Sequence, residues 1–365
     1  MSWYGRKVLV TGGASFIGSH LVDRLEALGA EVRVADDLSS GKLENLASSI
    51  DDIETLSGNL LDPAFAKQAC AGMEQVFHLA ASHGGRGYID SHPVECASNM
   101  VLDGTVFAAA YKAGVERICF ASSACVYPTI LQEMPRNGNV VYLREEMANT
   151  FEPHKAFADG EYGWAKLMGE MALQAYSRQY GMKTACCRIF TAYGERENET
   201  HAVIAWIARA FIEQDPFVIW GTGEQDRNFT YVGDIVEGLL RAAECITDGS
   251  PVNLGTAEHI KVLDAVQLVL ELTGLSPTLI CDPSKPTGVF SRSADLTRTR
   301  QLLGWEPQTS FRSGLSRTVE WYYSTHDRAF LRENLATLLT ERSISRTLES
   351  LSLIHISEPT RQAEI

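Results

Sequence analysis

The stretch Arg6-Lys-Val-Leu-Val-Thr-Gly-Gly-Ala-Ser-Phe-Ile-Gly-Ser-His-Leu21 restricts the fold more than any other part of the chain. An apolar, β-rich run from Val8 to Val10 gives way to a glycine-rich turn, and Phe16, Ile17, Leu21, Leu25 and Leu28 then recur at helical spacing. Strand, tight turn and helix in that order are the opening unit of a doubly wound α/β sheet. Gly12 suits the turn, Gly18 lets the helix lie close to the strand, and the free N–H groups of the helix start offer a seat for a pyrophosphate. The glycine spacing alone is a weak signal; the strand before it and the helix after it supply the context the motif requires.

The next segments extend the same architecture. Glu31 to Ala35 alternates as a second strand and ends at Asp36-Asp37, about 20 residues past the turn, where a carboxylate meets an adenosine ribose. That placement favours NAD over NADP, whose 2′-phosphate would face negative charge with Lys42 as the next cation. Gly58-Asn-Leu-Leu-Asp62 precedes a helix running to Cys70, and the nearly all-apolar Gln75 to Ala81 reads as a fourth strand buried on both faces. Ser82-His-Gly-Gly-Arg-Gly-Tyr-Ile89 is expected as a substrate-facing loop at the carboxyl end of that strand. A helix over 95–113 leads to a strand from Arg117, continuing into Ser122-Ser-Ala-Cys-Val-Tyr-Pro128, where alternation puts Ser123, Cys125 and Tyr127 on one face. Residues 129–160 read as loop. Tyr162-Gly-Trp-Ala-Lys166 then opens a helix to Tyr180, with the phenol and the ammonium on one helical face.

Beyond it come a strand from Thr184 to Phe190, a helix from His201 to Gln214, a strand at 216–220, and a return through Asp226 to Ile235 into another helix. We read 1–185 as the dinucleotide-binding domain, with a returning segment near 226–250, and 186–345 mainly as a smaller α/β substrate domain. Leu351-Ser-Leu-Ile-His-Ile-Ser-Glu-Pro-Thr-Arg361 resembles the translation of a sequencing-library adapter, so 351–365 read as an artefact tail and carry no functional argument.

Composition excludes other classes. The 365 residues, 45% hydrophobic, suit two closely joined domains. A net charge of −14 leaves no basic field for nucleic acid. No apolar run is long enough to span a bilayer, and the first strand starts too near Met1 to leave room for a signal peptide, so a cytoplasmic protein is expected. The eight cysteines show neither Cys-x-x-Cys nor His/Cys ligand spacing, so neither a metal site nor a disulfide framework is expected.

A tyrosine with a reference pKa of about 10 needs a nearby cation to act as a base, and Lys166 supplies one. With Ser123 holding the substrate oxygen, Tyr162 takes the hydroxyl proton while the adjacent C–H delivers hydride to a nicotinamide. A non-catalytic dinucleotide sensor is the reading from another class, and it has no need of Ser123, Tyr162 and Lys166.

With these motifs in order, residues 6 to 323 resemble the extended short-chain dehydrogenases/reductases, specifically their nucleotide-sugar epimerases and dehydratases. The resemblance implies a Rossmann domain with a seven-stranded parallel sheet, a C-terminal sugar-nucleotide domain, bound NAD, and a homodimer built on two helices per subunit. It implies cofactor contacts from Gly12, Ser15, Phe16, Ile17, Gly18, Asp36, Asn59, Leu60, Leu79, Ala80, Ala81, Tyr162 and Lys166. Substrate contacts follow from Gly84, Gly85, Ser123, Thr191, Arg227 and Arg292, the two arginines matching those that hold the diphosphate.

Three departures from the family pattern stand out, the last two bearing on the subclass. Ser15 stands at the middle glycine of Thr-Gly-x-x-Gly-x-x-Gly, where its hydroxyl can donate to a phosphate. Ala124-Cys125 replaces the Asp-Glu pair of 4,6-dehydratases, which disfavours dehydration. Thr191 stands where many of these epimerases have Asn. Cys125 and His201 match proton-transfer positions of the GDP-mannose 3,5-epimerases and GDP-fucose synthases, the former carrying lysine at the second position. A transient C4 ketone acidifies the hydrogens at C3 and C5, which a thiolate and an imidazole can remove and replace. The expected activity is NAD-dependent epimerisation of a nucleotide sugar through a 4-keto sugar, at C3 or C5 if Cys125 and His201 take part. C4 epimerisation of a UDP-sugar and net NAD(P)-dependent oxidoreduction are the alternatives.

Overall fold

The computed structural model describes residues 2–133, 140–152 and 157–342; the adapter-like tail lies outside the described residues. In chain order the strands are β1 (Lys7–Thr11), β2 (Glu31–Asp36), β3 (Glu54–Ser57), β4 (Gln75–His78), β5 (Arg117–Ser123), β6 (Tyr142–Leu143), β7 (Lys183–Ile189) and β8 (Ala192–Tyr193). They continue with β9 (Phe217–Trp220), β10 (Asp226–Arg227), β11 (Thr230–Tyr231), β12 (Asp248–Leu254), β13 (Ile260–Lys261), β14 (Leu279–Asp282) and β15 (Ser291–Ala294). The helices are α1 (Phe16–Ala27), α2 (Pro63–Cys70), α3 (Arg86–Ser91), α4 (Pro93–Lys112), α5 (Gly160–Tyr180), α6 (Ala202–Phe211), α7 (Val232–Cys245), α8 (Val262–Thr273), α9 (Thr297–Leu303), α10 (Phe311–Thr325) and α11 (Arg328–Leu338).

Seven parallel strands form the main sheet in the order β12-β7-β5-β4-β1-β2-β3. Val8, Val10 and Phe77 pack on one face against Leu21 and Leu25 of α1 and Ile235 and Leu239 of α7. Leu9, Val76 and Phe120 pack on the other against Val106 and Phe107 of α4 and Leu173 of α5. Burial of each large aliphatic side chain contributes roughly 1.5–3 kcal/mol, so the sheet is held from both sides, as a doubly wound, Rossmann-like fold requires. The strand order reverses between β1 and β4, and the crevice outside their carboxyl ends is where such folds bind ligands.

The residues after β7 build a second body around α6, α8, α10 and α11, whose apolar faces share one core with β9. A mixed sheet in the order β13-β10-β15-β6 joins it to the loop region before α5. The chain returns to the main sheet through α7 and β12.

Four stretches differ from the sequence expectation, the first being 129–160, which reads as loop but contributes β6 to the mixed sheet. β4 ends at His78: the Leu79 amide makes the last backbone bond to β1, to the Thr11 carbonyl at 3.2 Å, and also donates to Thr11 Oγ1 at 3.1 Å, while the Ala80 amide turns to Thr11 Oγ1 at 3.2 Å. The expected loop at 82–89 becomes helical from Arg86 onward. Ser123, Cys125 and Tyr127 do not share a strand face: Ser123 Oγ accepts the Cys125 N–H at 3.1 Å, turning 124–126 into a 3₁₀ turn.

Candidate active site

The crevice widens into a cleft of about 1060 Å³ that reaches from the β1 turn to the second body. At its cofactor end Gly12 has φ +69°, and a Cβ there would lie 2.9 Å from the Ala80 nitrogen, so only glycine fits. A Cβ on Gly18 would strike the Gly12 carbonyl, which fixes how closely α1 approaches the turn. The first turn of α1 holds no acidic residue, and the Ser15 side chain does not cap it. Uncapped N–H groups behind a glycine turn fit a dinucleotide diphosphate, and Ser15, Phe16, Ile17, Leu79, Ala80 and Ala81 all line the cleft beside them.

Three expected cofactor contacts are not placed there. Asp36 is buried, its two oxygens accepting from Ala14 N at 3.0 Å and Leu38 N at 2.8 Å, and burial raises its pKa. Its carboxylate braces the glycine turn and does not line the cleft. Asn59 Oδ1 accepts from Leu61 N at 2.9 Å, and Leu60 is packed among Leu9, Ala35 and Ala66. Ser40, Lys42 and Asn45 line that end of the cleft instead.

A buried polar chain lies beside α5. Thr11 Oγ1 already accepts two amides, so its proton goes to His78 Nδ1 at 2.7 Å, and His78 Nε2–H donates to Asp103 Oδ1 at 3.0 Å. Asp103 raises the pKa of the Lys166 ammonium against the larger, opposing effect of burial. Lys166 Nζ sits 4.5 Å over the Phe120 ring and 5.8 Å from the Tyr162 ring centre. Burial holds the Tyr162 phenol well above its ordinary range, Cys125, Asp103 and Cys96 push the same way, and a hydrogen bond with Ser123 pulls it back. Behind this group Arg188 is fully buried against Glu170, with Nε–Oε1 2.9 Å and Nη2–Oε2 2.8 Å, and Glu170 also accepts from Ser122 Oγ. That pair ties β5, β7 and α5 together.

The other end is assembled from loops. The 3₁₀ turn brings Cys125 to the cleft, where Arg292 Nη1 donates to its sulfur at 3.4 Å. Arg292 also donates to Gln132 Oε1 at 2.6 Å and Asp159 Oδ2 at 3.0 Å, and Arg86 donates to Asp159 Oδ1 at 2.9 Å. Tyr127 turns away to donate to Asn253. Arg227 reaches the cleft, but its terminal nitrogens hold four backbone carbonyls, those of Asp226, Thr287, Val289 and Phe290. His201 lies with its ring centre 5.3 Å from that of His83, which lies 4.6 Å from that of Tyr162. Burial pulls the His201 imidazole down to about 4 and pushes the carboxyl of Glu197, 3.3 Å from Nδ1, well up. Gly84 and Gly85 line the cleft, yet their close approaches are to protein: a Cβ on Gly85 would strike the Thr200 carbonyl and one on Gly84 the Tyr88 ring. Thr191 lines the cleft between the two ends.

Sequence reasoning named the 82–89 loop without singling out His83, and it missed Arg86, Asp159 and Arg342. Asp159 sits in a stretch without periodicity, and Arg342 is brought to the cleft by tertiary folding alone. Among the described residues no cluster of three or more His, Cys, Asp or Glu could hold a metal.

A glycine-turn dinucleotide seat leading to a buried Ser–Tyr–Lys group defines a nicotinamide-dependent enzyme of the Rossmann class. A family model described as the NAD dependent epimerase/dehydratase family matches residues 8–255, and the chain belongs to that family. It is 30% identical over 320 residues to GDP-mannose 3,5-epimerase 1 of Oryza sativa subsp. japonica, covering 86% of this chain and 81% of the relative. It is likewise 30% identical to UDP-glucuronic acid decarboxylase 2 of Arabidopsis thaliana, covering 87% and 68%. The UDP-glucose 4-epimerase of Thermotoga maritima, solved with UDP-glucose, superposes with a TM-score of 0.75 at 29% identity, covering 87% of this chain and 99% of that one.

Proposed function

We propose that the protein is an NAD-dependent nucleotide-sugar epimerase that inverts C3 or C5 through a transient 4-keto sugar. The observation that carries this reading is the convergence of Cys125 and His201 on the same cleft as Ser123, Tyr162 and Lys166. Bound NAD supplies a hydride acceptor for C4 and, oxidised, a positive charge on the nicotinamide ring. Ser123 orients the C4 hydroxyl and Tyr162 takes its proton, with Lys166 favouring the phenolate by its charge. Once C4 is a ketone, the Cys125 thiolate, to which Arg292 donates a hydrogen bond, takes an adjacent C–H proton and becomes the thiol as the negative charge passes to the enolate. The His201–Glu197 pair, in which burial disfavours charge on both the imidazole and the carboxyl, returns a proton from another side. Arg292 and Arg86, steadied by Asp159, supply guanidinium donors for the substrate diphosphate.

NMR of the products from a panel of NDP-hexoses, with NADH followed in parallel, tests this. An epimer without NADH accumulation is expected. Stoichiometric NADH would mean net oxidoreduction, and C4 inversion alone would leave Cys125 and His201 without a chemical role.

We also assign a homodimer. Val94, Val101 and Tyr111 on α4 and Trp164 and Tyr180 on α5 are exposed, with the Tyr111 and Tyr180 rings stacked at 4.3 Å, a surface suited to a second copy. Light scattering should give a dimer that Val101→Glu converts to monomer; a wild-type monomer would refute the assignment. Among the described residues no helix is long and apolar enough to cross a membrane, and eight free thiols suit a reducing compartment, which supports a cytoplasmic location.

A further inference from the structure

The C-terminal arm crosses the cleft. Leu331 and Leu335 anchor α11 in the second core, the Leu339 carbonyl packs against Gly87, and Glu341 pairs with His92 at 3.4 Å. These contacts deliver Arg342 to the carboxyl end of the main sheet. Its guanidinium lies over the Tyr88 ring, 4.9 Å from the centre. One terminal nitrogen reaches the Ala81 carbonyl oxygen at 3.4 Å and the other the Ser39 hydroxyl at 3.5 Å.

Sheet order turns those two contacts into a position. Ala81 follows β4, Ser39 follows β2, and β1 lies between those strands. A guanidinium that touches both flanks therefore stands over the end of β1, facing the Gly12–Ser15 turn and the start of α1. Both contacts are at the long limit for a hydrogen bond, so the planar fork keeps donors that a stronger acceptor can take up. No acidic residue in the first turn of α1 competes for it.

We propose that Arg342 is a cofactor-binding residue, holding the dinucleotide diphosphate from above while the N-terminus of α1 holds it from below. The C-terminal arm is then the cover of the cofactor seat. Helix N–H groups and a guanidinium are both donors to phosphate oxygens, and opposed they enclose a dianion that a chain of net charge −14 otherwise disfavours. The proposal rests on reading that seat as a dinucleotide site.

Calorimetric titration of wild type, Arg342→Ala and Arg342→Lys with ADP and with adenosine separates the possibilities, together with the NAD retained after dialysis. Arg342→Ala should weaken ADP about tenfold, the scale of one charge-assisted contact, leave adenosine unchanged, and retain less NAD. Arg342→Lys should fall between, keeping the charge without the fork. Equal ADP affinity in wild type and Arg342→Ala overturns the proposal. So does a parallel loss of adenosine binding, which would show that the arm had merely detached. If neither ligand binds wild type, the dinucleotide seat itself is wrong.

Discussion

The two ends of the cleft are built by different means. At the cofactor end, backbone at the tips of adjacent parallel strands forms the floor of the seat, braced from within by Thr11 and Asp36, and Arg342 is the one side chain proposed to close over it. At the sugar end the work falls to side chains from separate segments: Cys125 from a 3₁₀ turn, Asp159 from a loop, His201 from a helix start and Arg292 from β15. A site made of backbone inherits its precision from the sheet. One made of side chains depends on how the second body docks, and should be the more easily damaged.

Substitutions can break or sharpen that contrast. The largest effect is expected at the point the two ends share: Tyr162→Phe should lower turnover by ~10²–10⁴ while NAD still binds, measured by steady-state rate and cofactor content. Next is the support beneath it. Removing the carboxylate in Glu170→Ala leaves Arg188 buried without its partner and should cost about 3–5 kcal/mol of stability in denaturant titration. Gly85→Ala forces a Cβ against the Thr200 carbonyl, an overpacking strain of roughly 1–3 kcal/mol confined to the sugar end. It should raise the substrate KM and lower kcat while leaving NAD affinity within about twofold, a modest change on the scale of tenfold per 1.4 kcal/mol. Equal damage to NAD binding would show that the ends are not separable.

The effect spread most thinly, over more than two pH units, is in pH dependence. Burial holds His201 at about 4 in the folded chain against an ordinary value of 6.5, so between those values the unfolded chain binds more protons. Stability is therefore lost as pH falls from 6.5 toward 4, with His201 contributing at most ~1.4 kcal/mol per pH unit. His201→Gln should flatten the profile in part, since His78 and His83, also pulled down by burial, remain. An unaltered profile would mean that His201 is not buried as described.

What the sequence made legible follows the same division. Glycine spacing, strand patterning and the Tyr162–Lys166 interval are local signals, and the β1 turn, α1 and α5 lie where they point. Cys125 reaches the cleft for a different reason from the one periodicity suggested: a side-chain hydrogen bond at Ser123 overrides the strand alternation. Asp36 occupies the expected interval, but its carboxylate turns inward because two backbone amides need an acceptor there. The glycines at 84 and 85 read as room for a ligand, whereas Gly85 closely approaches the Thr200 carbonyl and Gly84 the Tyr88 ring. Asp159 and Arg342 carried no local signal, since only tertiary folding gives them their neighbours.

Cys125 and His201 are proposed to exchange protons at carbons beside a transient ketone. Incubating the NAD-loaded enzyme with an NDP-hexose in deuterated water and reading the recovered sugar by NMR tests it most directly. Solvent deuterium is expected at C3 or C5, and is expected to be lost in Cys125→Ser although NAD remains bound. Turnover with inversion at C4 and no solvent deuterium at either carbon would contradict it.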